Sequence, residues 1–224
     1  TKKRALLTAQ KKCFEFGLTT IDEAGLNKSD IMLINNLHKS GELKMKIYAM
    51  LSDNKINFDY FIDSLAKPIK TDRLNVRSFK FYSDGALGSR GACLLKPYSD
   101  IKDSMYYGML LRNADHFKEC AKKLYKNEFQ MCTHCIGDSS ARLILNIYSE
   151  ILKGVNDKRW RIEHAQVISS ADFQLFKDYT IIPSVQPTHA TSDMLWAILR
   201  LGKNRIINSY AYKKLLNQNG MIAL

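Results

Sequence analysis

The protein has 224 residues, 46% hydrophobic and 25% charged, a composition typical of a soluble protein with one well-buried domain or at most two small ones. No stretch approaches the roughly 20 apolar residues of a membrane span, so we expect no membrane partner. The formal net charge is +12, but the 34 lysines and arginines are scattered without the spacing of a nucleic-acid-binding motif, so we expect no nucleic-acid partner.

The first part of the chain alternates predicted helices with predicted strands. The opening segment predicts a helix that ends at Gly17 and whose apolar residues fall on one stripe: Ala5, Leu6, Ala9, Cys13 and Phe16. Strands are then predicted at residues 18–22, 45–50 and 76–82, and helices between them around 31–37 and 58–65.

Residues 83–108 break this alternation. They contain three closely spaced glycines, a proline and paired tyrosines, but no regular period. Long ordered loops at strand ends are usually functional, so this glycine-rich stretch predicts an active-site loop.

The alternation resumes after the loop. Helices are predicted around residues 117–124, 141–152, 173–176, 194–201 and 209–217, and strands at 129–134, 161–166, 181–185 and 221–224. Seven strands alternating with helices predict an α/β fold with a parallel sheet. An eight-stranded TIM-type barrel that lacks its first strand and the end of its eighth would give this pattern over a single partial domain, residues 1–224. A doubly wound open sheet is the alternative, although no glycine-rich phosphate loop follows an early strand.

Two of the predicted strands end in a histidine, His134 and His164. If both strands are parallel members of one sheet, the two imidazoles emerge at the same carboxyl-terminal edge, where α/β folds keep their chemistry. One interpretation is a pair of metal ligands. The other is two strand-end histidines hydrogen-bonded to the backbone, and the pattern alone leaves both open.

The five cysteines are an odd number spread through apolar contexts, which favours reduced thiols and a cytoplasmic location. The chain begins without methionine, so an export signal is left open.

Several motifs in this order resemble one known family. They are Lys80-Phe-Tyr-Ser-Asp84-Gly-Ala-Leu-Gly-Ser-Arg90-Gly-Ala, Pro97-Tyr98, His134-x-Ile-Gly-Asp138, Arg161-Ile-Glu-His164-Ala-Gln166, and Gln186-Pro-x-His189 with Asp193. Together they resemble the YtcJ-like branch of the amidohydrolase superfamily, the metal-dependent hydrolases of the amidohydrolase 3 type. The resemblance runs from about Gly17 to the last residue.

The resemblance implies a TIM-type barrel and hydrolysis of a non-peptide carbon–nitrogen bond in a small amide-type molecule by a metal-activated water. It implies that His134, His164 and Lys80 are catalytic metal ligands, with Lys80 bridging two ions if it is carbamylated. The alternative for Lys80 is an ordinary lysine paired with Asp84. Neutral imidazoles and a carbamate suit Zn²⁺, as one ion or two. The residues that would line the substrate pocket are Asp84, Arg90, Gln186 and His189.

The chain also departs from the family pattern. The His-x-His pair of the first strand and the aspartate after the eighth are absent, and that aspartate normally accepts a proton from the attacking water. We therefore expect residues 1–224 to be the centre of a larger enzyme and to be inactive alone. The alternative is a non-catalytic barrel fragment or a small-molecule-binding remnant. The oligomeric state, including a homo-oligomer, is left open.

Overall fold

The computed structural model describes residues 1–102 and 105–224. The chain divides into two compact units, residues 1–80 with 126–130 and residues 81–125 with 131–224. Each unit contains parallel strands alternating with helices, which confirms the predicted α/β class. Residues 103 and 104 of the predicted loop lie outside the described residues, and the single-domain organisation of residues 1–224 stays a prediction.

The first unit contains three parallel strands and the helices between them. Its elements are α1 (Lys2–Glu15), β1 (Thr20–Leu26), α2 (Lys28–Lys39), β2 (Lys46–Ser52), α3 (Lys55–Asn57) with a π-helical continuation (Phe58–Ser64), β3 (Ile69–Lys70) and β4 (Leu74–Tyr82). β1 pairs with β2 and β2 with β4, both in parallel, whereas the short β3 pairs antiparallel with β4.

The core of this unit forms where the helical period predicted it, with one exception. Ile31, Ile34 and Leu37 of α2 are all buried, as the spacing i, i+3, i+6 requires of a helix that covers a sheet. α1 forms as predicted, but none of its residues is buried, and Phe16 just after it is 80% exposed. The helix prediction for α1 is therefore confirmed, and its apolar stripe is not part of the core.

The second unit contains the strands that end in histidine. Its elements are α4 (Ala114–Lys126), β5 (Gln130–Cys135), α5 (Asp138–Leu152), β6 (Arg161–His164), α6 (Phe173–Asp178), β7 (Ile182–Ser184), α7 (Thr188–Asp193), α8 (Ala197–Leu201), α9 (Lys203–Ile206) and α10 (Tyr212–Asn219). β5, β6 and β7 pair in parallel in chain order. The strand predicted at 221–224 is wrong: this segment makes a single parallel bridge, from Ala223 to Ser184.

The segment between β4 and α4, residues 83–102 and 105–113, is named here the strand-end loop. Its side chains pack on other parts of the second unit in an apolar cluster: Leu87, Ala92, Leu94, Tyr98, Ile136, Val167, Ala197 and Leu201. The Tyr98 hydroxyl donates to the Ala92 carbonyl at 2.8 Å, so the one polar group of this side chain is satisfied. The described part of the loop is thus packed, and its role as an active-site loop stays a prediction.

Within the described residues, no helix combines the length and the apolar character needed to cross a membrane.

The α5 side chain Tyr148 connects that helix to two strands. Its buried hydroxyl lies 3.0 Å from the Met131 carbonyl, 3.3 Å from the Arg161 carbonyl and 2.8 Å from Thr133 Oγ1. Its ring packs edge-on against Trp160 with centroids 4.8 Å apart. Burial raises the pKa of Tyr148 well above its ordinary value, so the hydroxyl remains a donor.

We expect Tyr148→Phe to lower the free energy of unfolding by about 1–3 kcal/mol, because buried acceptors lose their donor while the ring is kept. Urea denaturation would measure this change. The matched control is Tyr125→Phe, since Tyr125 is 39% exposed and also keeps its ring; its change should stay within about 0.5 kcal/mol. Equal losses in the two variants would contradict the role given to the Tyr148 hydroxyl.

Candidate metal centre

The second unit brings the two strand-end histidines together. His134 lies near the end of β5 and His164 at the end of β6, and the two ring centroids are 4.7 Å apart with the planes at 73°. Both imidazoles are partly buried. The prediction that they emerge side by side at one sheet edge is confirmed.

Strand register alone would not bring these rings together. In the parallel pairing His134 lies opposite Glu163, and His164 opposite Cys135. Because side chains alternate between faces, His164 would point with Cys135 away from His134. The backbone at His164 is left-handed, with φ of 73°, and Ala165 follows at 41°. This turn at two non-glycine residues ends β6 and directs the His164 imidazole towards His134, at a conformational cost of order 1–3 kcal/mol per residue.

One ring nitrogen of each imidazole lies near an oxygen of a neighbouring side chain. His164 Nδ1 lies 2.6 Å from Gln186 Oε1, and His134 Nε2 lies 3.5 Å from Asp84 Oδ1. An amide oxygen can only accept, so the short contact favours the Nδ1–H tautomer of His164, which leaves the lone pair on Nε2. The longer contact between His134 and Asp84 is not a hydrogen bond and fixes no tautomer.

The carboxylate of Asp84 is buried at the base of the strand-end loop, with the residue 1% exposed. Oδ1 accepts the N–H of Ile136 at 3.0 Å, and Oδ2 accepts those of Gly137 at 2.8 Å and Cys93 at 2.9 Å. We call these three contacts the Asp84 junction. Burial raises the pKa of Asp84 to about 7, although the three backbone N–H groups act in the opposite direction.

The strand-end loop also caps the helix that follows His134. The carbonyl of Cys93 accepts the N–H groups of Ser139 and Ser140, at 3.1 and 3.3 Å, in the first turn of α5. These are N–H groups that a helix cannot satisfy itself. A Cβ built on Gly137 would overlap the backbone of Cys93, so only glycine permits this approach.

The other predicted site residues of this unit occupy different surroundings. His189, at the start of α7, stacks on His164 with centroids 5.8 Å apart. Arg90 forms a two-pronged pair with Asp100 at 2.9 and 3.2 Å, and Arg200 pairs with the same carboxylate and donates to the Gly88 carbonyl. Arg90 therefore braces the strand-end loop internally, and Arg200 holds the loop to α8. Substrate contacts by Asp84, Arg90, Gln186 and His189 stay predictions.

Lys80 belongs to the first unit. It lies in β4 opposite Ser52 of β2 and is 4% exposed. Burial of a lysine is costly unless its ammonium is paired or its charge removed. Its assignment as a metal ligand stays a prediction.

A polar network beside Gln186 was missed by the sequence analysis. The Tyr210 hydroxyl donates to Asp193 Oδ2 at 2.8 Å and accepts from Gln166 at 2.8 Å, while the Tyr212 hydroxyl donates to the Gln186 carbonyl at 3.2 Å. Burial raises the pKa of Tyr212 to about 12, with Asp193 adding to the rise. Gln166 and Asp193 stand in the quoted motifs, but no periodicity marks the two tyrosines.

Comparison with known proteins gives consistent matches. The Amidohydro_3 model, which describes an amidohydrolase family, matches residues 1–224. Protein LONG AFTER FAR-RED 3 of Arabidopsis thaliana is 28% identical over 237 residues, covering 100% of this chain and 40% of the relative. Putative amidohydrolase YtcJ of Bacillus subtilis is 25% identical over 224 residues, covering 98% and 41%. The chain thus spans about two fifths of the length of these relatives.

Solved structures match as well. Uncharacterized metal-dependent hydrolases from Pyrococcus furiosus and Pyrococcus horikoshii OT3 each superpose with a TM-score of 0.84 at 25% identity. Each match covers 94% of this chain, and 43% and 42% of the respective hydrolase.

We expect Gly137→Ala to lower the free energy of unfolding by about 1–3 kcal/mol, because its Cβ overlaps the backbone of Cys93 while its φ of −80° suits alanine. Hydrogen exchange at the Ser139 and Ser140 amides should accelerate, since the Cys93 carbonyl that they donate to must move. The control is Gly220→Ala, with open space but a φ of 76°, which should leave those two amides unchanged. Equal protection in wild type and Gly137→Ala would contradict this close packing.

Proposed function

Because this chain belongs to the amidohydrolase family, we propose that His134 and His164 hold a divalent metal ion in a hydrolase that cleaves a non-peptide carbon–nitrogen bond of a small amide-type molecule. The observation that carries the proposal is the pair of imidazoles 4.7 Å apart at one sheet edge, with the His164 ring oriented by the Gln186 oxygen. The relatives named as metal-dependent hydrolases support it.

The donor set fits such an ion. Both residues offer imidazole nitrogens, and His164 directs Nδ1 at Gln186, which leaves its Nε2 for the metal ion. Imidazole nitrogen is a ligand that Zn²⁺ prefers, and one or two zinc ions are the proposed cofactor. A divalent ion held there would polarise the scissile carbonyl and activate a water molecule.

The residues around the imidazoles would perform the remaining tasks. His189 stacks on His164 and is partly exposed, which places it to contact a substrate. The Gln186 side chain fixes the His164 ring, and the Tyr212 hydroxyl donates to the Gln186 backbone carbonyl. Hydrogen bonds among Asp193, Tyr210 and Gln166 form a fixed polar surface on this side of the site. Such a surface orients a polar substrate without reorganising during the reaction.

We also propose that the strands form part of a TIM-type barrel in the full-length protein, as the βα order of the chain favours. Lys80 is the proposed third ligand, as a carbamate. All five cysteines are free thiols, which supports the proposed cytoplasmic location.

In the full-length protein, we expect His134→Ala and His164→Ala each to weaken metal binding by at least about 100-fold. Each substitution removes a direct ligand, and losing even a residue that only orients a ligand lowers metal affinity by about 10–100-fold. Elemental analysis after dialysis would measure bound metal, and a panel of N-acyl substrates would measure hydrolysis. The control is His38→Gln, since His38 contacts the Met45 carbonyl in the first unit. Unchanged metal content in both alanine variants would refute the proposed centre.

We expect Lys80→Ala to lose bound metal and to recover part of it when a short carboxylic acid is added, because the acid replaces the anionic oxygen ligand that a carbamate supplies. Native mass spectrometry of the wild type should show one carbon dioxide added at Lys80. The control is Lys70→Ala, in the exposed part of β3, which should keep its metal. Full metal retention by Lys80→Ala would exclude the ligand role.

A further inference from the structure

An open cavity of about 240 Å³ lies in the second unit beside the first turn of α5. The strand-end loop, the segment that follows β6, and α9 with the residues after it form its lining, which includes none of the residues proposed to bind metal or substrate. Val167 and Ile168, 2% and 1% exposed, give the lining an apolar part. Sites for drug-sized ligands measure about 300–1,000 Å³, so this cavity suits a smaller molecule.

The guanidinium of Arg205 belongs to this lining, and all its contacts with the described residues are to uncharged acceptors. Nε donates to the Leu201 carbonyl at 2.7 Å and Nη1 to the Lys96 carbonyl at 2.8 Å. Nη2 donates to the Pro97 carbonyl at 2.7 Å and to Ser99 Oγ at 3.0 Å. A guanidinium has five N–H groups. The described contacts use four of them and leave one N–H of Nη1 for a ligand.

Asp138, the first residue of α5, adds a carboxylate to the same lining. The residue is 6% exposed, and its Oδ1 accepts the Leu95 N–H at 2.9 Å. Burial raises the pKa of Asp138 and lowers that of Arg205, while the charge of each residue opposes the shift of the other. Among the described residues, however, neither group forms an ion pair. The cavity thus holds two opposite charges that interact without contact.

We propose that this cavity binds a small zwitterion of the α-amino-acid class, with its carboxylate facing Arg205 and its ammonium facing Asp138. The ligand carboxylate would accept the remaining guanidinium N–H, and the ammonium would donate to the Asp138 carboxylate. Both are charge-assisted hydrogen bonds, which are roughly twice as strong as neutral ones. The proposal does not rest on the proposed metal centre.

The balance of charge in the lining favours a zwitterion over a simple anion. Lys96 lines the cavity beside Arg205, so an inorganic phosphate would be attracted by two cationic residues. The same phosphate would be repelled by the carboxylate of Asp138. A molecule that carries both charges complements both sides of the cavity, and the exposed rim residues Ser170 and Asn204 offer further hydrogen-bonding groups.

Titration calorimetry of the metal-free full-length protein with L-alanine tests the proposal. Metal is removed beforehand because amine and carboxylate groups coordinate Zn²⁺ and would report on the other site. Three matched probes accompany L-alanine: propionate lacks the ammonium, ethylamine lacks the carboxylate, and inorganic phosphate carries negative charge alone. We expect a dissociation constant of about 1 mM or below for L-alanine. Propionate and ethylamine should each bind at least about tenfold more weakly, because each loses one charge-assisted hydrogen bond.

The matched variants are Asp138→Asn and Asp178→Asn. Asp138→Asn keeps an oxygen for the Leu95 N–H but removes the negative charge, so L-alanine binding should weaken by about tenfold while propionate binds no more weakly than before. Asp178 is exposed at the end of α6 and does not line the cavity. Its substitution removes the same charge and should leave L-alanine affinity within about twofold of wild type.

Absence of saturable L-alanine binding up to about ten times the expected dissociation constant would overturn the proposal. So would propionate, ethylamine or phosphate binding as tightly as L-alanine. An unchanged L-alanine affinity in Asp138→Asn, or an equal loss in Asp178→Asn, would overturn it as well. If Asp138→Asn does not fold, the comparison of the four probes on the wild type decides alone.

Discussion

The candidate site depends on one buried carboxylate whose oxygens are occupied by backbone N–H groups. A carboxylate is stable in a protein interior only when hydrogen bonds replace its hydration, and at Asp84 these come from the strand-end loop and from the turn after β5. Those N–H groups belong to irregular backbone and have no ladder partner of their own. The carboxylate therefore satisfies the hydrogen-bonding needs of these N–H groups, and they satisfy those of the carboxylate. The loop is fixed to the turn without regular secondary structure.

Contacts between the strand-end loop and the turn after β5 also explain why α5 begins where it does. The first turn of a helix has unsatisfied N–H groups and a partial positive charge, and here the Cys93 carbonyl accepts from Ser139 and Ser140. Gly137 makes this approach sterically possible, and the apolar cluster around Leu94 and Tyr98 holds the loop in place from its other side. Polar satisfaction and apolar packing thus select the same loop conformation, which is the consistency expected of a defined functional site.

The sequence predicted the α/β class, the strands ending in His134 and His164, and the break in regular structure after β4, because these follow from local period. It could not predict the direction of the His164 ring, which depends on a left-handed backbone at a non-glycine residue. It could not show that Asp100 pairs with both Arg90 and Arg200, since Arg200 lies 100 positions further along the chain than Asp100. Nor could it show how far α1 is buried, because period alone does not say whether a neighbour covers a helix.

Strand register places the two histidines at unequal positions along the sheet edge. His134 lies opposite Glu163, so His164 stands one residue, about 3.3 Å, further along than His134. Alternation of side chains would also send the two imidazoles to opposite faces of the sheet. The left-handed backbone at His164 ends β6 and brings the ring centroids to 4.7 Å. Because such a backbone costs of order 1–3 kcal/mol at a non-glycine residue, it persists only where surrounding contacts hold it, and the 2.6 Å contact of His164 Nδ1 with Gln186 is one of them.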